Sequence, residues 1–334
     1  MMSRDTPLLD GVDIFYIAAE CVIAVLSILG NSLVVVAVKI DKSLRNTTFF
    51  FIVSLAVADI SLGVILIPLA LIMNAGIQIK FYGCLLMACV ILAIIQGSVL
   101  FMLMIAIDRF LKVKIPTRYR MTVTPYVGCV TTGICWLAAA LIGIVPMFGW
   151  NNREKILEDG NCTNCYITCT FTNVISFSYM MLYNFLGCFF PLTLMIILYA
   201  VVFNTIRKQF HPRSKQGQEP LEYYKKEMKL AKSLLLVLLL FTLTFLPLHV
   251  MNILNYFCLE CNIPKAGIYI IIILSHSNSA LNPMVYAFRI KKFRQVFITV
   301  GSLHIPKRNE AGKRVYPQVS TDDQIESNRT CDSR

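Results

Sequence analysis

Charged side chains are scarce in this sequence: Asp, Glu, Lys and Arg make up only 15% of its 334 residues, against about 25% in an ordinary soluble domain. With 57% of the chain hydrophobic, a water-soluble globule is excluded and a bilayer is the natural solvent. Histidine is rarer still. Of 4 histidines only His249 and His276 fall in apolar stretches, and no H-E-x-x-H occurs, so an intramembrane enzyme, which needs a nucleophile and base or a metal pair, is excluded. There is no internal repeat, and the number of apolar stretches is odd, which argues against the two-fold duplications common in secondary transporters. A channel or transporter remains only a remote alternative.

What is present is a series of long apolar stretches. A helical span needs about 20 mostly apolar residues, and seven stretches qualify: Asp13–Lys39, Thr47–Met73, Phe81–Val113, Pro125–Phe148, Val174–Phe203, Lys226–Phe257 and Ala266–Phe288. The first is too long for the apolar core of a secretory signal and no Ala-x-Ala-like cleavage site follows it. The expected fold is an all-α membrane protein, a seven-transmembrane helix bundle over residues 13–288 preceded by a short terminus, 1–12. From the end of the seventh span through residues 289–301, Phe288, Phe293, Val296, Phe297 and Val300 alternate with basic residues at helical spacing, which reads 289–301 as an amphipathic helix lying on lipid. Residues 302–334 are polar and aperiodic, and are read as a disordered tail.

Lysine and arginine crowd the odd-numbered connections: Lys39, Lys42 and Arg45, then Arg109 to Arg120, then Arg207 to Lys232. By the positive-inside rule those connections are cytoplasmic, with the N-terminus outside and the C-terminus inside. The net charge of +12 is then a rim facing anionic membrane lipid, and nucleic acid is not an expected partner. Cys84 and the trio Cys162, Cys165 and Cys169 fall on the outer, oxidising side, where disulfides persist. Any one of the three can pair with Cys84, and Cys258 and Cys261 form a further candidate bridge. Asn161 heads an outer glycosylation sequon, Asn-Cys-Thr.

Polar groups inside a span are costly and functional by default. Asn31, Asp59, Ser98, Asn278 and Asn282 fall near mid-span; a carboxylate among amide and hydroxyl oxygens suits a small hard cation such as sodium, and the alternative is a polar cluster that only joins helices. No other cofactor is expected. Asp108-Arg109-Phe110 ends the third span and Asn282-Pro283-Met284-Val285-Tyr286 ends the seventh. With the Asp59 segment, Trp136, Pro191 and Pro247, these resemble the rhodopsin-like G-protein-coupled receptors over residues 13–300. The resemblance implies a switch in which Arg109 pairs with Asp108 and Glu227, the sixth span bends at Pro247, Phe245, Tyr199 and Tyr286 rearrange, and a cytoplasmic cleft opens to a heterotrimeric G protein. Arrestin and receptor kinases are implied as further partners.

The seventh span has no lysine for a retinal Schiff base, and the outer half of the third has Ile91 and Leu92 where a cationic-amine receptor needs a carboxylate. The outer, inward-facing polar groups are Glu20, Asn184, His249, Asn252, Ser275 and His276, with Phe171 just past Cys169, a set that suits a small, neutral, polar heteroaromatic ligand. Long stretches, Phe51 to Asp59, Pro146 to Asn152, Leu246 to His249 and Val285 to Ile290, are similar to the adenosine receptor family, nearest its inhibitory-type branch. This resemblance implies a plasma-membrane receptor for adenosine or a close nucleoside that lowers adenylyl cyclase activity. Asn252 then contacts the purine bidentately, Phe171 stacks on it, Leu92, Leu248, Met180 and Ile272 pack around it, Ser275 and His276 hold ribose hydroxyls, and Glu20 fixes the His276 tautomer. The chain departs from the family at several points. Phe245 replaces a tryptophan, Ile95 a threonine, Phe110 a tyrosine and Thr172 an acidic residue. The spacing from Asn184 to Pro191 is one residue short, and no acylated cysteine follows the amphipathic segment. A divergent receptor with an altered ligand, or with weak signalling of its own, is the alternative these changes raise.

Overall fold

The computed structural model describes residues 10–40, 47–158, 166–209, 218–257, 264–289, 293–295, 307–308 and 314–315. Among the described residues, seven helices are long and apolar enough to cross a bilayer: α1 (Gly11–Ile40), α2 (Thr47–Asn74), α3 (Phe81–Lys114), α4 (Pro125–Phe148), α5 (Phe177–Lys208), α6 (Gln218–Phe257) and α7 (Lys265–Arg289). They pack as a bundle with α3 between α2, α4 and α5, and α7 between α1 and α6. Hydropathy places six of the spans well, but the fifth begins later than its apolar run. Phe171–Val174 is a separate short helix, and Ser176 restarts the chain as an N-cap, its side chain accepting from the Tyr179 N–H. The two segments differ because Ile175 is extended.

Two short strands, β1 (Gln78–Lys80) and β2 (Tyr166–Thr168), pair antiparallel beside the start of α3. The bridge Cys84–Cys169, with Cα atoms 5.6 Å apart, ties this strand pair to α3 and resolves the choice among the three cysteines. Cys258, Cys261 and Asn161 lie outside the described residues. Of the amphipathic segment only Phe293–Gln295 is described, as helix; Phe293 is fully buried against Phe49 and Tyr286. In the polar tail, Lys307–Arg308 pair with Arg314–Val315.

Prolines shape the bundle. A proline has no N–H for the carbonyl four residues back, and a buried carbonyl left open costs on the order of a lost hydrogen bond. In three helices a neighbouring side chain closes the gap. Asn31 Nδ2 of α1 donates to Ser279 O, four residues before Pro283 (3.0 Å). Gln96 Nε2 of α3 donates to Gly187 O, four before Pro191 (3.4 Å). The Tyr179 hydroxyl donates to Ile142 O, four before Pro146. No side chain among the described residues donates to Leu243 O, four before Pro247 in α6, and Leu243 is 67% exposed. Wider π-turns at Leu62–Leu66 and Tyr183–Phe189 accommodate Pro68 and Pro191. Glycine permits two of the close approaches: a Cβ on Gly30 would lie 2.9 Å from the Pro283 ring, and one on Gly187 2.7 Å from Gln96 Oε1.

Candidate functional site

A cavity of about 330 Å3 opens among the helices at the disulfide end, within the usual size range of small-molecule sites. Helical periodicity supplies its walls. Ile91, Leu92 and Ile95 come from one face of α3, Phe245, Leu248, His249 and Asn252 from one stripe of α6, and Ile268, Ile272 and His276 from successive turns of α7. The disulfide carries Thr170, Phe171 and Thr172 over the cavity, and Met180 and Tyr183 of α5 close the side. The lining is chiefly apolar, with a few polar groups that can orient a ligand.

Those polar groups are held differently. Asn252 is half-buried on the wall and makes no hydrogen bond among the described residues, so both halves of its amide are available. Nδ1 of His276 lies 2.9 and 3.0 Å from the two carboxylate oxygens of Glu20, and both side chains are buried. That contact fixes the ring and leaves Nε2 for another partner. His249 Nδ1 is 2.6 Å from Asn184 Oδ1, while His249 Nε2, Asn184 Nδ2 and Gln96 Oε1 are buried without protein partners among the described residues.

Two expected contact residues do not reach the cavity wall. Ser275 is fully buried, and its hydroxyl donates back to Ile272 O at 2.8 Å, the common fate of serine inside a helix. Asn184 sits behind His249 and acts on the cavity through it, because the π-turn it belongs to resets the register between it and Pro191. Glu20 likewise acts through His276. Sequence reasoning missed Asn74, Met251, Tyr183 and Ile268 on the wall. Asn74 donates to the Tyr16 hydroxyl at 3.0 Å, and Tyr16 stacks on Tyr269 with centroids 4.1 Å apart; no spacing rule links residues so far apart in sequence.

Below the cavity, Asn282 Nδ2 donates to Asp59 Oδ2 at 2.8 Å. Asp59 Oδ1, Ser98 Oγ and Asn278 Oδ1 are all buried and lack protein partners among the described residues. At the far end Arg109 pairs with Asp108 at 3.0 Å. Lys112 reaches the same oxygen at 3.4 Å, and Thr48 donates to it at 2.5 Å while itself receiving Arg109 and Lys112. Tyr119, in the short helix Pro116–Thr122, donates to the other oxygen at 2.6 Å. Burial, reinforced by the Asp108 charge, holds the Tyr119 phenol well above its ordinary pKa and keeps it a donor. The expected third partner, Glu227, belongs to α6, but its side chain lies outside the described residues. Tyr199 and Tyr286 face a small apolar void with Leu234 and Leu238 of α6.

Residues 30–286 match the rhodopsin family of seven-transmembrane receptors. Among curated proteins, the chain is 40% identical over 289 residues to the dog (Canis lupus familiaris) adenosine receptor A3, covering 86% of this chain and 91% of that one. It is 41% identical over 286 residues to the adenosine receptor A3 of sheep (Ovis aries) and of cattle (Bos taurus), in each case covering 85% of this chain and 89% of the relative. The family consists of receptors and not of enzymes. Both the match along the bundle and the likeness over most of each relative's length lead to one assignment: this chain is a multi-pass membrane protein of the rhodopsin family of seven-transmembrane receptors and, within it, belongs to the adenosine receptors.

Proposed function

We propose that the protein is a plasma-membrane receptor for adenosine or a close nucleoside, with its disulfide end outside, and that it acts through an inhibitory-type heterotrimeric G protein to lower adenylyl cyclase activity. The observation that carries this reading is the uncommitted Asn252 amide on a cavity wall that also presents Phe171 and a Glu20-held His276. An amide presents a donor and an acceptor side by side and so matches an adenine edge bidentately. Phe171 offers a face for purine stacking. His276 Nε2 offers a ribose hydroxyl a partner on the opposite wall. A ligand so held bridges α6 and α7, and its hold on α6 biases the Arg109–Asp108 lock at the other end. Arrestin and receptor kinases are proposed partners of the activated form, and Asn161 a glycosylation site.

Asp59 Oδ1, Ser98 Oγ and Asn278 Oδ1 are each buried without a protein partner among the described residues, and as hard oxygen donors they suit an allosteric sodium ion, with Asp59 oriented by its Asn282 contact. Agonist affinity that falls as sodium replaces a bulky organic cation, with loss of that dependence in Asp59→Asn, supports this part; a sodium-independent wild type removes it. A second reading is a divergent receptor with an altered ligand, and what favours it is the branched Ile95 and the smaller Phe245 on the cavity wall. The discriminating experiment is saturation binding of a radiolabelled nucleoside agonist and a xanthine antagonist to membranes of expressing cells, with adenosine as competitor. Saturable, adenosine-displaceable binding supports the leading reading. Absence of both at verified surface expression leaves the second.

A further inference from the structure

A second sizeable cavity, of about 350 Å3, lies at the Arg109 end between the last turns of α3 and α5 and is lined by Lys114, Val201, Asn204, Thr205 and Lys208. Lysines in a last helical turn favour the helix dipole wherever they point, which accounts for their presence. It does not account for two of them converging from different helices on one cavity with an amide and a hydroxyl between. Lys112, two residues before Lys114, is committed to Asp108, Thr48 and the Tyr119 ring. Lys114 and Lys208 are exposed and form no ion pair among the described residues.

Residues 201, 204, 205 and 208 make one stripe of α5 at helical spacing. The neighbouring stripe, Val202 and Ile206, is buried against Val113 of α3 and Ala231 of α6. The cavity therefore lies on a different face of α5 from the one packed on α6, a face that a membrane-embedded bundle would turn toward lipid. On the orientation proposed above, that is the inner leaflet. Basic pockets between helices on this side suit phosphate-bearing headgroups, and the lining reads in that order, with Val201 toward the bilayer and the lysines at its rim.

We propose that this cavity binds the phosphorylated headgroup of an anionic inner-leaflet lipid, held by Lys114 and Lys208 with Asn204 and Thr205 as neutral donors. The chemistry recognised is a phosphate oxyanion; the lipid-facing position selects the lipid over a soluble phosphate. The proposal is independent of which ligand occupies the outer cavity.

The test uses the full-length receptor in phosphatidylcholine nanodiscs containing a minor fraction of fluorescent phosphatidylinositol phosphate, with monodisperse elution and an unchanged thermal midpoint as the check on folding. Each lysine near an anionic surface contributes roughly a fivefold factor, so Lys114→Gln/Lys208→Gln is expected to weaken lipid binding about 30-fold. The pair Lys229→Gln/Lys232→Gln, exposed at the same end of α6, is expected to change it far less, and Lys114→Arg/Lys208→Arg to retain it. Should the first pair fail to fold, the two single glutamine variants take its place, each with about a fivefold loss. Equal weakening by the two glutamine pairs would mean diffuse attraction to the basic rim and would overturn the site. Displacement by free inositol phosphate as effective as by the lipid itself would overturn the lipid as its occupant.

Discussion

Helices α6 and α7 both wall the outer cavity and both carry a proline in mid-helix, but among the described residues only the proline of α7 has its opened carbonyl met by a side-chain donor. In α7 the carbonyl opened by Pro283 accepts from Asn31, and Gly30 lets α1 press directly on the proline ring. In α6 the carbonyl opened by Pro247 belongs to the lipid-facing Leu243 and receives no side-chain donor among the described residues. A backbone group left open in an apolar medium is a weak point, so α6 is expected to be the compliant helix and α7 the fixed one. A ligand that grips Asn252 on α6 and His276 on α7 pulls a hinged element against an anchored one. This is the physical content of the proposed switch, in which the proline gap in α6 takes part.

The largest expected effect comes from removing the grip on the compliant helix. Asn252→Ala is expected to cost about 2–4 kcal/mol of nucleoside binding, read by displacement of a labelled antagonist, while leaving surface expression intact; unchanged affinity would remove the proposed purine pose. Next is the anchor. Asn31→Ala leaves Ser279 O buried and open, and should lower stability by about 1–3 kcal/mol, seen as a lower thermal midpoint of the purified receptor. If the midpoint is unmoved, α7 is not secured in the way described. A smaller gain is expected from Ile95→Thr, which restores a hydroxyl to the cavity wall and should strengthen agonist binding by about 1 kcal/mol with little change for a xanthine. The smallest effect on binding is expected from Pro247→Ala. It returns an N–H to Leu243 O and should leave antagonist affinity within about 0.5 kcal/mol while reducing agonist-stimulated nucleotide exchange on the G protein. Undiminished exchange would mean that the open carbonyl is not what makes α6 compliant.

Much of this architecture is legible in the sequence because bilayer thickness imposes span length. The bounds of α4, Pro125–Phe148, follow from an apolar run that begins at a proline with a threonine cap before it. Where the signal is tertiary the sequence is silent. Nothing local marks Thr48 or Tyr119 as partners of Asp108, although the i,i+4 spacing of Asp108 and Lys112 does carry a signal. The Asn184 position depends on a π-turn whose hydrogen bonding no periodicity rule anticipates. Ser275 looks like a ligand contact from its neighbour His276, yet a hydroxyl in a helix has a nearer acceptor in its own backbone. Chemistry-bearing residues are therefore easier to find in the sequence than to assign to the cavity wall.

The most direct measurement is the distance between spin labels at the Arg109 end, in a background freed of reactive cysteines, with and without adenosine. One pair, Ile40→Cys with Lys229→Cys, spans α1 to α6; the other, Ile40→Cys with Phe288→Cys, spans α1 to α7. Adenosine should shift and broaden the first distribution and leave the second in place, and Asn252→Ala should abolish the shift. Equal displacement in both pairs, or a shift that persists without Asn252, would contradict the account of one hinged helix pulled against one anchored helix.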